Sequence, residues 1–258
     1  MEKTIPPSIY FGGACCGVGF YIGVVKAMKE TWGDDFYTKT LLCGDSIGAI
    51  MALQLVLGYT PERMELVSRI VFGKMEEEPL IFGQNYWLDQ YIDRLIEKEK
   101  TLYLDVQGKF QCGTTKAYFT HQWHESWNSN EELGKCLKGS YNLPLYCNRC
   151  EKVNGEEVID GAYSFTGTHF PHGDKTLFVG ANQISAEINY DLTFYETAVP
   201  NLATFKLLLK EGYSAFKQWD GAFKEKVHVR KPNHVALAIL WMGKYLQVLY
   251  GYLPTVLY

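Results

Sequence analysis

The chain has 258 residues, 47% hydrophobic and 21% charged, apolar enough to fill the core of one large domain spanning 1–258. A formal net charge of -4 gives no general attraction to a phosphate backbone and argues against a nucleic-acid partner. Residues 1–7 lack the charged-then-apolar order of a secretory signal, and seven cysteines, an odd number, suit free thiols, so a cytoplasmic, reducing location is expected.

In chain order, the first third reads as strand, turn, helix, twice over, the pattern of a parallel sheet with helices against its faces. Residues 8–11 are the first predicted strand, and 12–17 form a glycine-rich turn. A mostly apolar helix follows over 18–32, where Gly19 and Gly23 allow close packing. Residues 40–43 make the second strand. Ser46 lies on the next turn, ahead of a helix over 47–57 that is apolar on nearly every face and therefore buried; Gly58 stops it. Thr60 and Pro61 cap another helix running to about residue 72.

The middle of the chain is more polar and aromatic, with a predicted helix over 86–97 and strands around 109–123. A helix over 130–138 precedes Asn154-Gly155, a two-residue hairpin signal whose second strand delivers Asp160 at its end. A strand over 175–181 and a helix over 202–219 with a basic outer face follow. Lys206, Lys210 and Lys217, then Lys224, Lys226, Arg230 and Lys231 with Trp219 among them, could dock on anionic lipid or simply face water. From 235 onward the tail is apolar but broken by Lys244, Gln247, Gly251 and Pro254. Residues 220–258 therefore read as a packing or membrane-contact extension and not as a spanning helix.

Three short segments carry chemistry. Gly44-Asp45-Ser46-Ile47-Gly48 is a G-x-S-x-G between strand and helix, the setting of a nucleophile elbow. Small neighbours let the serine hydroxyl project from a sharp turn, and the new helix aims its positive end at it. A serine needs a base. No histidine precedes His121, so the orders with histidine before serine are excluded, whereas Ser-Asp-His through His169, His172, His228 or His234 stays open. Asp160-Gly161-Ala162 offers a carboxylate followed by two small residues, which leaves it room to reach Ser46 directly. Gly12-Gly13-Ala14, with Gly17 closing the turn, can present backbone N–H groups to an oxyanion. The rival phosphate-cradle reading has an incomplete glycine pattern. Cys147-Asn148-Arg149-Cys150 is a lone C-x-x-C without the second pair that a structural zinc site needs, so neither metal nor cofactor is expected.

These three motifs, in this order, resemble the patatin-like phospholipase family over roughly residues 8–216, with Leu133 to Ser140, Leu143 to Cys147 and Leu207 to Tyr213 looking most like its animal triglyceride-lipase branch. The resemblance implies a three-layer α/β/α sandwich with a mostly parallel central sheet. It implies Ser46 as nucleophile, Asp160 as its base and the Gly12, Gly13 and Ala14 backbone as oxyanion hole, with Gly44, Gly48, Gly17, Gly161 and Ala162 as motif residues. Lipid esters at a membrane or lipid-droplet surface would be the substrates, and the acyl-serine the intermediate. Ala14 and Cys15-Cys16 depart from the family's oxyanion loop. That departure motivates one alternative, an inactive lipid-surface or partner-binding module of the same fold; a Ser-His-Asp esterase for soluble esters is the other.

Overall fold

Ile9 and Phe11 face one side of the first strand and Tyr10 the other, yet all three are buried, as expected of a strand inside a sheet covered on both faces. The structure is a computed structural model that describes residues 3–77, 85–116, 120–143, 147, 151–164, 170–183, 185–193, 196 and 199–223. In order these form β1 (Ser8–Phe11), α1 (Val18–Trp32), β2 (Leu41–Asp45), α2 (Ile47–Val56), α3 (Pro61–Glu77) and α4 (Tyr86–Lys98). A short α5 (Leu102–Asp105), β3 (Phe110–Lys116), β4 (Thr120–His124) and α6 (Asn130–Ser140) follow. The hairpin β5 (Glu151–Val153) and β6 (Glu156–Asp160) precedes β7 (Thr176–Ala181), β8 (Ile188–Tyr190) and α7 (Leu202–Gln218).

The sheet is mixed and mostly parallel. β3, β2, β1, β7 and β8 run parallel in that spatial order, and β4, β5 and β6 join antiparallel. One face carries the main core, where Phe11, Leu42 and Val179 meet the helices; the other carries a smaller aromatic cluster of Tyr10, Phe170 and Phe178. α1 and α7 approach closely because Gly23 and Gly212 face the partner's backbone: a Cβ on Gly23 would stand 2.0 Å from the Leu209 carbonyl oxygen. The predicted close packing of α1 is thus used against α7.

β3 is the junction that makes a site possible. Its residues 110–113 pair with β2, and its residues 114–116 pair with β6, while β4 runs along 112–116. A strand residue has one neighbour on each side, so β4 holds one edge and β2 and β6 share the other. They meet end to end, with Asp45 opposite Gly113 and Asp160 opposite Thr114, adjacent residues of β3. The hairpin that delivers β6 turns at Asn154 (φ 53°) and Gly155 (φ 80°), the paired left-handed conformations that an Asn-Gly turn favours.

Several predicted boundaries move. β2 reaches Asp45, two residues beyond the predicted 40–43, because Gly44 and Asp45 continue the ladder to β3. α3 extends to Glu77. α5 and β8, of four and three residues, carry too little periodicity to be read from sequence. Trp219 is no surface aromatic: at 8% exposure it packs edge-on against Trp32 with Phe216 beside it. The predicted extension beyond residue 223 and the basic residues within it lie outside the described residues.

Candidate active site

Ser46 sits at φ 57°, ψ -133°, a region that costs a residue with a side chain and persists only where its surroundings enforce it. Here the enforcement is visible. The Ser46 N–H donates to Ser140 Oγ at 2.9 Å, and the same Ser140 hydroxyl donates to the Gly113 carbonyl at 2.6 Å. Ser140, at the end of α6, thus ties the turn to β3 across the gap between the ends of β2 and β6. The Ser46 carbonyl accepts from Ala49 N at 3.0 Å and starts α2. Gly44 and Gly48 are tight on the other side, for a Cβ on Gly44 would lie 2.4 Å from the carbonyl carbon of Gly48.

Ser140→Ala is expected to leave both the Ser46 amide and the Gly113 carbonyl without this partner. The loss should be about 1–3 kcal/mol in a urea titration, with a matching fall in any activity that depends on the turn. An unchanged midpoint would mean the hydroxyl bridges nothing of consequence.

Asp160 ends β6 as predicted and is 2% exposed. Its backbone is pinned by Asn142, whose carbonyl accepts its N–H at 3.1 Å, and by Thr115, whose hydroxyl donates to its carbonyl at 2.8 Å. Its carboxylate accepts from Ala162 N at 2.9 Å and borders the same cleft as Ser46. Burial raises its pKa to about 7; the Ser46 side chain and the Ala162 amide oppose that shift, and the charge of Asp45 adds to it. A carboxylate so placed is a stronger base than one in water and about half ionised near neutrality.

Asp45, the residue before the serine, is fully buried and accepts from Tyr10 OH at 2.7 Å and from His121 Nε2 at 3.1 Å to each oxygen. Burial, followed by the Asp45 charge, holds the Tyr10 phenol well above its usual pKa. The motif spacing indicated a turn but not this pair, since His121 comes from a strand far away in sequence. An acid in an otherwise apolar strand was the available signal.

The glycine-rich loop after β1 lies beside the serine. A Cβ on Gly13 would stand 2.7 Å from Ala162 Cβ and 3.9 Å from Ser46 Oγ, so the loop, the elbow and the Asp-Gly-Ala turn converge. Gly12, however, donates its N–H to the Val179 carbonyl at 3.0 Å and accepts from Tyr21 OH at 2.8 Å. Its amide belongs to the sheet, whereas the Gly13 and Ala14 N–H groups donate to no described residue. Gly17 closes the turn through its N–H to the Ala14 carbonyl at 2.8 Å, and Cys15 takes the left-handed conformation at φ 46°. Burial, then the Asp160 charge, pushes the Cys15 thiol up, so it stays protonated.

Two cavities open at Ser46. One, of about 730 Å³ including its mouth, runs between α2, α3 and α4 and is lined mainly by apolar side chains such as Ile50, Met51, Val71, Phe72, Met75 and Leu88. The other, of about 190 Å³, is bordered by Gly13, Ala14, Leu143, Asp160, Ala162 and Tyr163.

Of the four histidines left open by the sequence, one lies among the described residues. His172 is exposed, and His169, His228 and His234 lie outside the described residues. His124 bonds Thr114 Oγ1 at 2.8 Å, and burial lowers its pKa to about 4. Cys147 is buried with its thiol donating to the Tyr141 carbonyl at 3.3 Å, and Cys150 lies outside the described residues. Among the described residues no group of three His, Cys, Asp or Glu could hold a metal ion, and no helix is long and apolar enough to cross a membrane.

Comparison with family models and with curated proteins gives no match. Among solved structures, VipD from Legionella pneumophila superposes with a TM-score of 0.54 at 10% identity, over 83% of this chain and 67% of that one. The type III effector protein ExoU gives a TM-score of 0.41 at 12% identity, over 82% of this chain and 52% of that one. The chain thus spans about two thirds of the one and about half of the other. At these identities the likeness concerns the fold, and the fold is the patatin-like one: a mixed α/β architecture with a central sheet flanked by helices, shared with VipD.

Proposed function

We propose that the chain is a serine acyl hydrolase that releases ester-linked fatty acids from phospholipids or acylglycerols through an acyl-serine intermediate. The observation that carries this reading is the convergence of Ser46, on its strained turn, with the buried, pKa-raised Asp160 and the Gly13 loop around one cleft, beside which an apolar pocket also opens at Ser46. In the proposed sequence Asp160 takes the Ser46 proton as Ser46 Oγ attacks the ester carbonyl. The Gly13 and Ala14 amides receive the negative charge that develops on the carbonyl oxygen. Collapse of the tetrahedral intermediate breaks the ester C–O bond, and the leaving alcohol takes the proton back from Asp160. Water then attacks the acyl-serine with Asp160 as base, and the fatty acid leaves. The apolar pocket suits an acyl chain, and the cleft beside Asp160 suits the alcohol part. Such substrates bring the enzyme to a membrane or lipid-droplet surface.

A fluorophosphonate probe tests this directly, with the label located by peptide mass spectrometry and fatty-acid release from mixed phospholipid and triacylglycerol emulsions measured alongside. Labelling at Ser46 and release of fatty acid are expected. Because Asp160 must be ionised to act as base, kcat/KM should climb about tenfold per pH unit below pH 7 and level off above it. A chain that takes no label at Ser46 and releases no fatty acid is not this enzyme, and the inactive-module reading then gains.

A further inference from the structure

The apolar pocket is not uniformly apolar. Gln54 and Asn85, 2% and 6% exposed, both line it. Each has an amide nitrogen in use: Gln54 Nε2 donates to Tyr91 OH at 3.0 Å, and Asn85 Nδ2 donates to Asp89 Oδ2. Gln54 Oε1 and Asn85 Oδ1, by contrast, are buried acceptors to which no described residue donates. Buried polar atoms without a partner are rare because dehydrating them without replacement is costly. Two of them in the lining of one otherwise greasy pocket point to an occupant that brings a hydrogen-bond donor.

We propose that the pocket selects acyl chains bearing a mid-chain hydroxyl, with Gln54 Oε1 as the acceptor that reads it; this rests on the hydrolase reading above. Ester, ketone and epoxide oxygens only accept hydrogen bonds and would leave the amide oxygens unmatched. A second carboxylate would bury a charge among apolar side chains. A hydroxyl is the neutral donor that fits a chain. Its position follows from the helix: Ile47, Ile50, Met51 and Gln54 form one stripe of α2 along the pocket. At 1.5 Å per residue Gln54 lies about 12 Å along the helix from Ser46, near the middle of a common fatty acid whose carbonyl is at the serine. Ser68 and Tyr91 line the same pocket. A site built to bond a hydroxyl discriminates against the analogue without one, because its own polar group is then left facing methylene.

The test compares ricinoleoyl with oleoyl esters of the same alcohol, in wild type and Gln54→Leu. Wild type is expected to prefer the ricinoleoyl ester by about tenfold or more in kcat/KM. Gln54→Leu should lower that rate and raise the oleoyl rate, reversing the ratio, whereas a purely structural Gln54 would lower both and leave the ratio alone. Ser46→Ala gives a readout free of chemistry: it should bind free ricinoleate about tenfold or more tighter than oleate, which also decides the matter should Gln54→Leu fail to fold. Equal hydrolysis of the two esters by wild type, or equal binding of the two acids, overturns the proposal while leaving the hydrolase intact. Absence of both hydrolysis and Ser46 labelling overturns the hydrolase reading instead, and the binding comparison still judges the pocket.

Discussion

Ser46→Ala is expected to lower kcat by about 10^6-fold, the order seen when a serine hydrolase loses its nucleophile, and Asp160→Asn by about 10^2- to 10^4-fold, the range of a general base. The two should not be additive, because the serine and the base act on one proton. Asp160→Asn carries a second expected result of opposite sign. A buried carboxyl whose folded pKa is about 7, against an ordinary value near 4, binds its proton more tightly in the folded chain. Its favourable contribution is complete below about pH 4 and is lost as pH rises through 7, at about 1.4 kcal/mol per unit of pKa difference. Asparagine never ionises. The variant should therefore melt higher than wild type at pH 8 and show no such advantage at pH 4, while remaining nearly inactive at both. A variant that loses activity and also melts lower at pH 8 would mean that Asp160 is held chiefly by its hydrogen bonds and that its burial costs nothing.

Gly48→Ala is expected to destabilise the fold by about 3 kcal/mol or more, measured as the urea midpoint. The added Cβ would stand 2.1 Å from the Phe11 carbonyl oxygen and 2.4 Å from that of Gly12. Both obstacles are backbone, held by the sheet, so no side-chain rotation relieves them. α2 must back away from β1, and the elbow leaves the Gly13 loop with it. Gly73→Ala in α3 is the control, since nothing lies within 4 Å of its added Cβ and a helix gains about 1 kcal/mol from alanine. A Gly48→Ala chain as stable as wild type would show that helix and strand are not in such close contact.

What the sequence made legible was local. The elbow was readable because its two glycines answer a steric demand within five residues, and Asp160 because an Asn-Gly turn fixes where the following strand begins. What it hid depended on register between distant strands. Gly12 looked equivalent to Gly13 until the ladder to β7 took its amide. Ser140 gave no sign of its bridge, because α6 and β3 meet only in the folded sheet. Gln54 was absorbed into a helix read as apolar on nearly every side, although it was that helix's one polar departure. The tail beyond residue 223 remains an expectation from composition.

The end-to-end meeting of β2 and β6 along one edge of β3 also bears on when such a protein could become active. β2 leaves the ribosome early and β6 much later, after α6 has supplied Ser140. On the proposed hydrolase reading, the serine lacks its base until the hairpin docks, and a nascent or partly unfolded chain should leave nearby lipids uncut. On that reading, enzymatic competence would return no earlier than docking of the β5–β6 hairpin onto β3.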